Sequence, residues 1–346
     1  MSSPIPEPNS APLLRKRIES MMTGFQPCCV LGAASELGLF DILDAGPVTA
    51  EKIADAAEAD LRGVRALLDA LAALDVLIKQ GDRYEIAYGM APLLRDDSPD
   101  TMGPMIRHWM TCLRSWGRLA DSVQSGKPVH KEPSIRGTDA DRESFIGGMH
   151  SINTLSAGPL IERLAHAGEL EGVTCVLDVG GASGTWTIAL LEAIPDALAT
   201  VFDLPDAIEQ AKQRIRALEP ELRDRVCFAS GDFYKDELPH GADLAWVSAI
   251  IHQNGRKENV ALFKKVRDAL QPGGRIAIRD VVMQSDRLQP TPGVLFALNM
   301  LVNTETGGTF TFEEIAEDLK VAGFKEPELT IESPFMDTVV MATRVD

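Results

Sequence analysis

The chain has 346 residues, 34 of them Lys or Arg and 51 Asp or Glu, giving a formal net charge of −17. That length suggests two domains, and 45% hydrophobic with 25% charged residues is an ordinary globular composition, which excludes wholesale disorder. So acidic a chain repels phosphate backbones and anionic lipid, so neither nucleic acid nor membrane is expected as a partner. The uncharged run from Leu288 to Thr304 is broken by two prolines, Gln289, Asn299 and Asn303, and does not read as a spanning helix. The first eleven residues are rich in Pro and Ser but lack an apolar stretch, so no signal peptide is expected and the location reads as cytoplasmic. Cys28, Cys29, Cys112, Cys175 and Cys227 are scattered and never spaced Cys-x-x-Cys, which argues against a disulfide framework or structural zinc.

Residues 1–12 read as a flexible, Pro-rich arm. From Arg15 to about Leu43 the pattern is helical and apolar, with Leu31, Ala34, Leu37 and Leu39 prominent. Thr49 caps a short helix to Ala57, and a second helix runs from Leu61 to about Leu74. Val76-Leu-Ile and Tyr84-Glu-Ile read as strands joined by a turn at Gln80-Gly-Asp, completing a winged-helix pattern. Such a unit suggests DNA binding, but its second helix sets Arg62 and Arg65 against Asp60, Asp69 and Asp75, a poor match to phosphates. Packing against a second domain or a second copy of the chain is the expected use.

Residues 102–165 read as helical, broken at Gly126-Lys-Pro and Gly137-Thr-Asp, with Met, Trp, Phe and His gathered there. From Val173 short apolar runs alternate with amphipathic helices. Strands are expected at 174–179, 199–203, 225–229, 242–248 and 274–282, which indicates a largely parallel sheet covered on both faces.

The sharpest signal is Val176-Leu-Asp-Val-Gly-Gly-Ala-Ser-Gly184: a buried strand ending at Asp178, a glycine-rich turn, and a helix from Thr185 to Ile194. The turn does not match the Gly-x-Gly-x-x-Gly of dinucleotide sites. The acid beside it would repel a pyrophosphate and suits a ligand with a cationic amine. Asp203 ends the next expected strand, where an acid can accept from both hydroxyls of a ribose. Asp232 and Phe233 follow the third strand, placed to bond an adenine amino group and cover its face. Three acids at successive strand ends of one parallel sheet mark the edge where such sheets bind ligands.

Residues 173–343 resemble class I S-adenosylmethionine-dependent methyltransferases. Nearly everything after residue 12 is similar to the O-methyltransferases that carry an N-terminal dimerisation domain, such as the plant caffeic acid enzymes and bacterial antibiotic-pathway enzymes. The likeness rests on the winged-helix unit, Ser115-Trp116, Phe145-x-x-x-Met149, the glycine turn, Phe202-Asp-Leu-Pro, Gly231-Asp-Phe, Gln271-Pro-Gly-Gly and Ala322-Gly-Phe. It implies an α/β fold: a Rossmann-like methyltransferase sheet with an α-helical winged-helix dimerisation domain. It divides the chain into an arm (1–12), a dimerisation domain (13–100), a helical linker and pocket segment (101–170) and a cofactor-binding domain (171–346).

The resemblance implies S-adenosyl-L-methionine as cofactor, S-adenosyl-L-homocysteine as product, a small-molecule acceptor, a homodimer and no metal. Asp178, Gly180, Gly181, Asp203, Leu204, Asp232, Phe233 and Ser248 would hold the cofactor. His252, just after the fourth strand, would be the general base and Asp280, ending the fifth, the acid that orients it. Trp116, Met149, Asn299, Met300 and Asn303 would line the acceptor pocket. Three positions depart from the family pattern. Ala182 replaces a glycine of the turn, His252-Gln253-Asn254 stands where the family often reads His-Asp-Trp, and a second histidine-flanking acid is replaced at about Thr309. Methylation at nitrogen or carbon, a repurposed cofactor site as in anthracycline hydroxylases, and a winged-helix regulator are the alternatives.

Overall fold

The computed structural model describes residues 11–345 and divides them into two compact units, one formed by residues up to Thr111 with 133–148, the other by 112–132 with 149–345. The helical segment expected over 101–170 is therefore shared between them. Residues 1–10 of the expected arm lie outside the described residues, while Ala11 and Pro12 open a helix, Ala11–Thr23. Among the described residues no helix is long and apolar enough to cross a membrane.

In the first unit the single helical run expected from Arg15 to Leu43 is broken into Ala11–Thr23, Gln26–Glu36 and Leu39–Ile42. The second break falls at Gly38, whose φ of 67° is a left-handed conformation that glycine adopts without a Cβ clash. Thr49 caps Ala50–Ala56 through the Lys52 N–H, and Asp60 caps Leu61–Ala73 through the Gly63 N–H. Helix Leu61–Ala73 buries Val64, Leu68 and Leu71, spaced i, i+4, i+7 along one face. On its other face Arg65 pairs with Glu51, and Asp69 accepts from Lys79 and from the Tyr84 hydroxyl. The wing has three strands, β1 (Val48–Thr49), β2 (Leu77–Gln80) and β3 (Arg83–Ile86), with β3 in the middle and all pairs antiparallel. Helix Ala11–Thr23 buries no residue: Leu13, Leu14, Ile18, Met21 and Met22 all stand exposed.

The second unit is built on a seven-stranded sheet. Its strands are β4 (Cys175–Val179), β5 (Leu198–Asp203), β6 (Val226–Ser230), β7 (Ala242–Ser248), β8 (Leu270–Asp280), β11 (Phe324–Ile331) and β12 (Thr338–Arg344), in the order β11-β12-β8-β7-β4-β5-β6. A small parallel pair, β9 (Val282–Met283) with β10 (Phe310–Thr311), stands apart, so the strand expected over 274–282 is two strands. Strands β4 to β8 are parallel, whereas β12 runs antiparallel to β8 and β11 antiparallel to β12.

Those last two strands were not anticipated from sequence. Strand β11 is an edge strand carrying Lys325, Glu326, Pro327 and Glu328, so it lacks the apolar alternation that marks a strand. Alternation in β4 sends Val176 into one buried cluster, with Trp186 and Trp246, and Leu177 into another, with Ile250 and Phe263. The chain runs from β4 outward to β6, then returns to β7 on the other side of β4. The switch point, where ligands of such sheets bind, falls at the C-terminal ends of β4 and β7.

Candidate active site

The turn after β4 is shaped by what cannot fit beside it. A Cβ on Gly181 would lie 2.8 Å from the Asp178 carboxyl and from Val201 Cγ1, and Gly180 sits at φ 70° with a Cβ position 2.6 Å from Ile250 Cδ1. Ala182 is left-handed too, at φ 43°, so the departure from glycine is accommodated in a conformation that costs an L-residue some strain. Asp203 closes the turn: Oδ2 accepts from the Ala182 N–H at 2.8 Å and Oδ1 from the Leu204 N–H at 2.6 Å. Burial raises the pKa of this carboxyl, against the two backbone bonds.

Asp178 is 1% exposed, beneath the turn, and accepts from the Thr187 hydroxyl at 2.6 Å. Burial pushes its pKa up to about 7, with Thr187 opposing and Asp203 adding to the rise. It therefore props the turn from below. Asp232 accepts from the Tyr234 N–H and pairs with Lys235 at 2.7 Å, which holds its carboxyl below the usual range. Phe233 packs 4.5 Å from the Tyr234 ring and against the buried cluster around Ile250.

At the end of β7, Ser248 is buried and accepts from Arg279 at 3.1 Å. Arg279 is a cation within the sheet: it pairs with Asp337 and lies 4.3 Å over the Trp186 ring. Its charge interrupts the apolar run Ile276-Ala-Ile in β8, the one sequence signal of its special environment. The 3₁₀ turn Ile251–Gln253 then presents His252. The imidazole Nδ1–H donates to Asp280 Oδ1 and Oδ2 at 2.9 and 3.0 Å, while Asp280, 1% exposed, also accepts from the Val281 N–H. That fixes the tautomer and leaves Nε2 without a partner among the described residues, free to accept a proton. Phe296 meets the imidazole edge-on at 4.8 Å and is met in turn by Phe335 at 5.8 Å.

Thr309 is buried beside this turn. The Gly308 N–H donates to the His252 carbonyl at 2.8 Å, and a Cβ on Gly307 would lie 2.5 Å from the same oxygen. Asp280 is thus the one acid bonded to His252 among the described residues. No group of three His, Cys, Asp or Glu able to hold a metal occurs there either.

Helix Thr291–Asn303 carries Phe296, Asn299 and Asn303 at i, i+3 and i+7, hence on one face. Asn299 Oδ1 accepts from Trp116 Nε1 at 2.8 Å and from Asn303 Nδ2 at 3.1 Å, which brings three of the expected pocket residues together; Met300 is buried in the same helix. Met149 is half-buried, next to His150, whose Nδ1 lies 2.8 Å from the Thr185 hydroxyl. Sequence reasoning missed Phe296, although its spacing to Asn299 signals a shared face, and Phe335, in the loop between β11 and β12, for which no signal exists.

The sequence model of the O-methyltransferase domain matches residues 116–325, and that of the O-methyltransferase dimerisation domain matches residues 19–94. The chain is 33% identical over 304 residues to a tetracenomycin polyketide synthesis 8-O-methyl transferase of Streptomyces glaucescens, covering 86% of this chain and 88% of that one. The crystal structure of human N-acetylserotonin methyltransferase in complex with S-adenosylmethionine superposes with a TM-score of 0.82 at 25% identity, over 98% of this chain and 100% of that one. The N,N-8-amino-8-demethyl-D-riboflavin dimethyltransferase of Streptomyces davawensis gives a TM-score of 0.76 at 25% identity, over 98% and 100%.

Proposed function

This chain belongs to the O-methyltransferase family, and from that premise we propose that it transfers a methyl group from S-adenosylmethionine to a hydroxyl of an aromatic or polycyclic small molecule, with His252 as general base. The observation that carries the reading is the His252–Asp280 pair, standing at the same sheet edge as the glycine turn. Gly180 and Gly181 pack so closely on Ile250, Asp178 and Val201 that neither admits a Cβ, so the turn offers bare backbone to a ligand at the sheet edge, which suits the cofactor. Gly180 and Gly181 would meet the methionine portion, Asp203 the ribose, Asp232 and Phe233 the adenine, with Leu204 and Ser248 completing the wall.

S-adenosylmethionine supplies a methyl group already activated by a positive sulfur, so the chain's own work is orientation and proton removal. A phenol of pKa about 10 is ionised to about one part in a thousand at neutral pH. His252 Nε2 takes the hydroxyl proton while Asp280 holds the ring in place. Trp116, Met149, Asn299, Met300 and Asn303 orient the acceptor, and no metal has a part in this scheme. Two copies pair through the region matched by the dimerisation domain, and the exposed apolar residues of helix Ala11–Thr23 suit that contact.

The test is His252→Ala. It should slow methyl transfer to an unactivated phenol by about 10²–10⁴-fold, the span of a positioned base, while S-adenosylhomocysteine binds as before. The loss should shrink at high pH, where hydroxide removes the proton. A native rate at neutral pH would reject His252 as base. The likeness to an N,N-dimethyltransferase then favours a nitrogen acceptor as the second reading.

A further inference from the structure

The three-residue segment His252-Gln253-Asn254 ends in an amide that is 2% exposed and bonded at both its oxygen and its nitrogen. Asn254 Oδ1 accepts from the Tyr234 hydroxyl, and Asn254 Nδ2 donates to Asn259 Oδ1 at 3.0 Å. Asn259, also 2% exposed, passes the chain on: its Nδ2 donates to the Ile251 carbonyl at 3.1 Å, inside the turn that presents His252. At the other end Tyr234 adjoins Phe233, and its N–H donates to Asp232. A series of side-chain hydrogen bonds thus runs from the hydroxyl of Tyr234, the residue after Phe233, through Asn254 and Asn259 to the Ile251 carbonyl of the His252 turn.

Each amide in the series uses its oxygen and its nitrogen at once, so no member can shift without leaving a buried polar group unpaired. Tyr234 is half-exposed, whereas Asn254 and Asn259 are buried, which makes the tyrosine the adjustable end and the turn the responding one. The phenol is protonated at neutral pH and able to donate, and partial burial with the nearby Asp232 and Glu258 carboxylates raises its pKa further.

We propose that Tyr234 and Asn254 are positioning residues that couple occupancy of the cofactor loop to the placement of His252. The inference rests on the functional reading above and goes one step past it. A cofactor seated on Phe233 biases the adjoining Tyr234 ring, and the hydrogen-bonded amides carry that bias to the base. The site therefore sets its base when the methyl donor is present.

Tyr234→Phe tests the coupling because it keeps the ring and removes one hydroxyl. Amide hydrogen exchange across residues 251–254 is followed in the full chain with and without S-adenosylhomocysteine, alongside its affinity and the steady-state kinetics. In the native protein the ligand should slow exchange of this turn. In Tyr234→Phe the protection should fall at least threefold and kcat should drop about three- to tenfold, while the affinity, by reciprocity, should weaken by no more than the factor lost in protection. Asn254→Ala should give the same losses, and the double variant should lose no more than the worse single one.

If Tyr234→Phe weakens the ligand but leaves kcat and protection intact, the tyrosine is a plain cofactor contact and the coupling is overturned. The coupling is overturned as well if the ligand protects the turn equally in both proteins, or if the two single losses add. Failure of the native protein to bind S-adenosylhomocysteine is a different result: it removes the functional reading itself, and the coupling with it.

Discussion

On the proposed cofactor side of the site, acids stand at the ends of neighbouring parallel strands, and the backbone shapes the space. Gly180 and Gly181 admit no Cβ, Asp203 is held by two backbone N–H groups, and Asp178 lies sealed under the turn. On the proposed acceptor side the same edge is lined by side chains meeting across long stretches of sequence. Trp116 reaches Asn299, 183 residues away, and Phe335 closes on Phe296 from the loop before β12. Backbone-shaped space is intolerant of change and suits a ligand that never varies. Side-chain-shaped space can be altered one substitution at a time, which suits a family whose members act on different acceptors.

That contrast is open to direct attack. Asp203→Ala removes the acceptor of the Ala182 and Leu204 N–H groups and a charged partner for a ribose. It should weaken S-adenosylhomocysteine by about 1.5–3 kcal/mol, the range for hydrogen bonds to charged groups, and leave the acceptor KM within about twofold. Calorimetry on the variant decides the matter. Unchanged affinity would take Asp203 out of the site, and an equal loss on the acceptor would show that the two halves are not separable.

The same contrast explains what the sequence disclosed. Glycines and strand-end acids are local requirements of a turn and a sheet edge, so Asp178, Gly180, Gly181 and Asp203 were legible as a group. His252 and Asp280 were legible through resemblance and because strand ends are countable. The roles of Asn254 and Arg279 were not, since an Asn two residues after a histidine looks the same whether it is solvated or locked between Tyr234 and Asn259. Strand β11 escaped because its surface charges hide the strand period, and the helix break at Gly38 because a single glycine is tolerated in many helices.

A smaller effect is expected from Asn299→Ala, which sharpens the comparison from the other side. Its Oδ1 accepts from both Trp116 and Asn303, so truncation frees two donors and loosens the pocket wall without touching the glycine turn. The expected cost is about 0.5–1.5 kcal/mol in acceptor kcat/KM, with S-adenosylhomocysteine affinity unchanged. Acceptors of different shape should be affected unequally. A uniform loss across acceptors, or any loss of cofactor affinity, would mean that Asn299 supports the fold and does not select the acceptor.

The smallest expected effect concerns the helix that starts behind the turn, where one hydroxyl serves a buried carboxyl and another a half-buried imidazole. Thr187 donates to Asp178, and Thr185 bonds His150, whose pKa burial and Arg214 push down from 6.5 to about 4. Asp178 moves the other way, from 3.8 to about 7. Between about pH 4 and 7 the folded protein keeps a proton on Asp178 that the unfolded chain releases, so this group's contribution to stability falls as pH rises. Between about pH 4 and 6.5 the folded protein refuses a proton on His150 that the unfolded chain takes up, so this contribution is present above that window and is lost as pH falls. The two slopes oppose each other and mask one another in the native protein. Thermal unfolding without cofactor, at constant ionic strength, should separate them. Asp178→Asn, which keeps an acceptor for Thr187, should gain stability over the native protein progressively from pH 4 to 7. His150→Gln should sit furthest below the native protein near pH 7 and approach it as pH falls to 4. Curves parallel to the native one in both variants would show that neither group changes its proton on folding, and the sealed carboxylate of the cofactor side would then be an ordinary one.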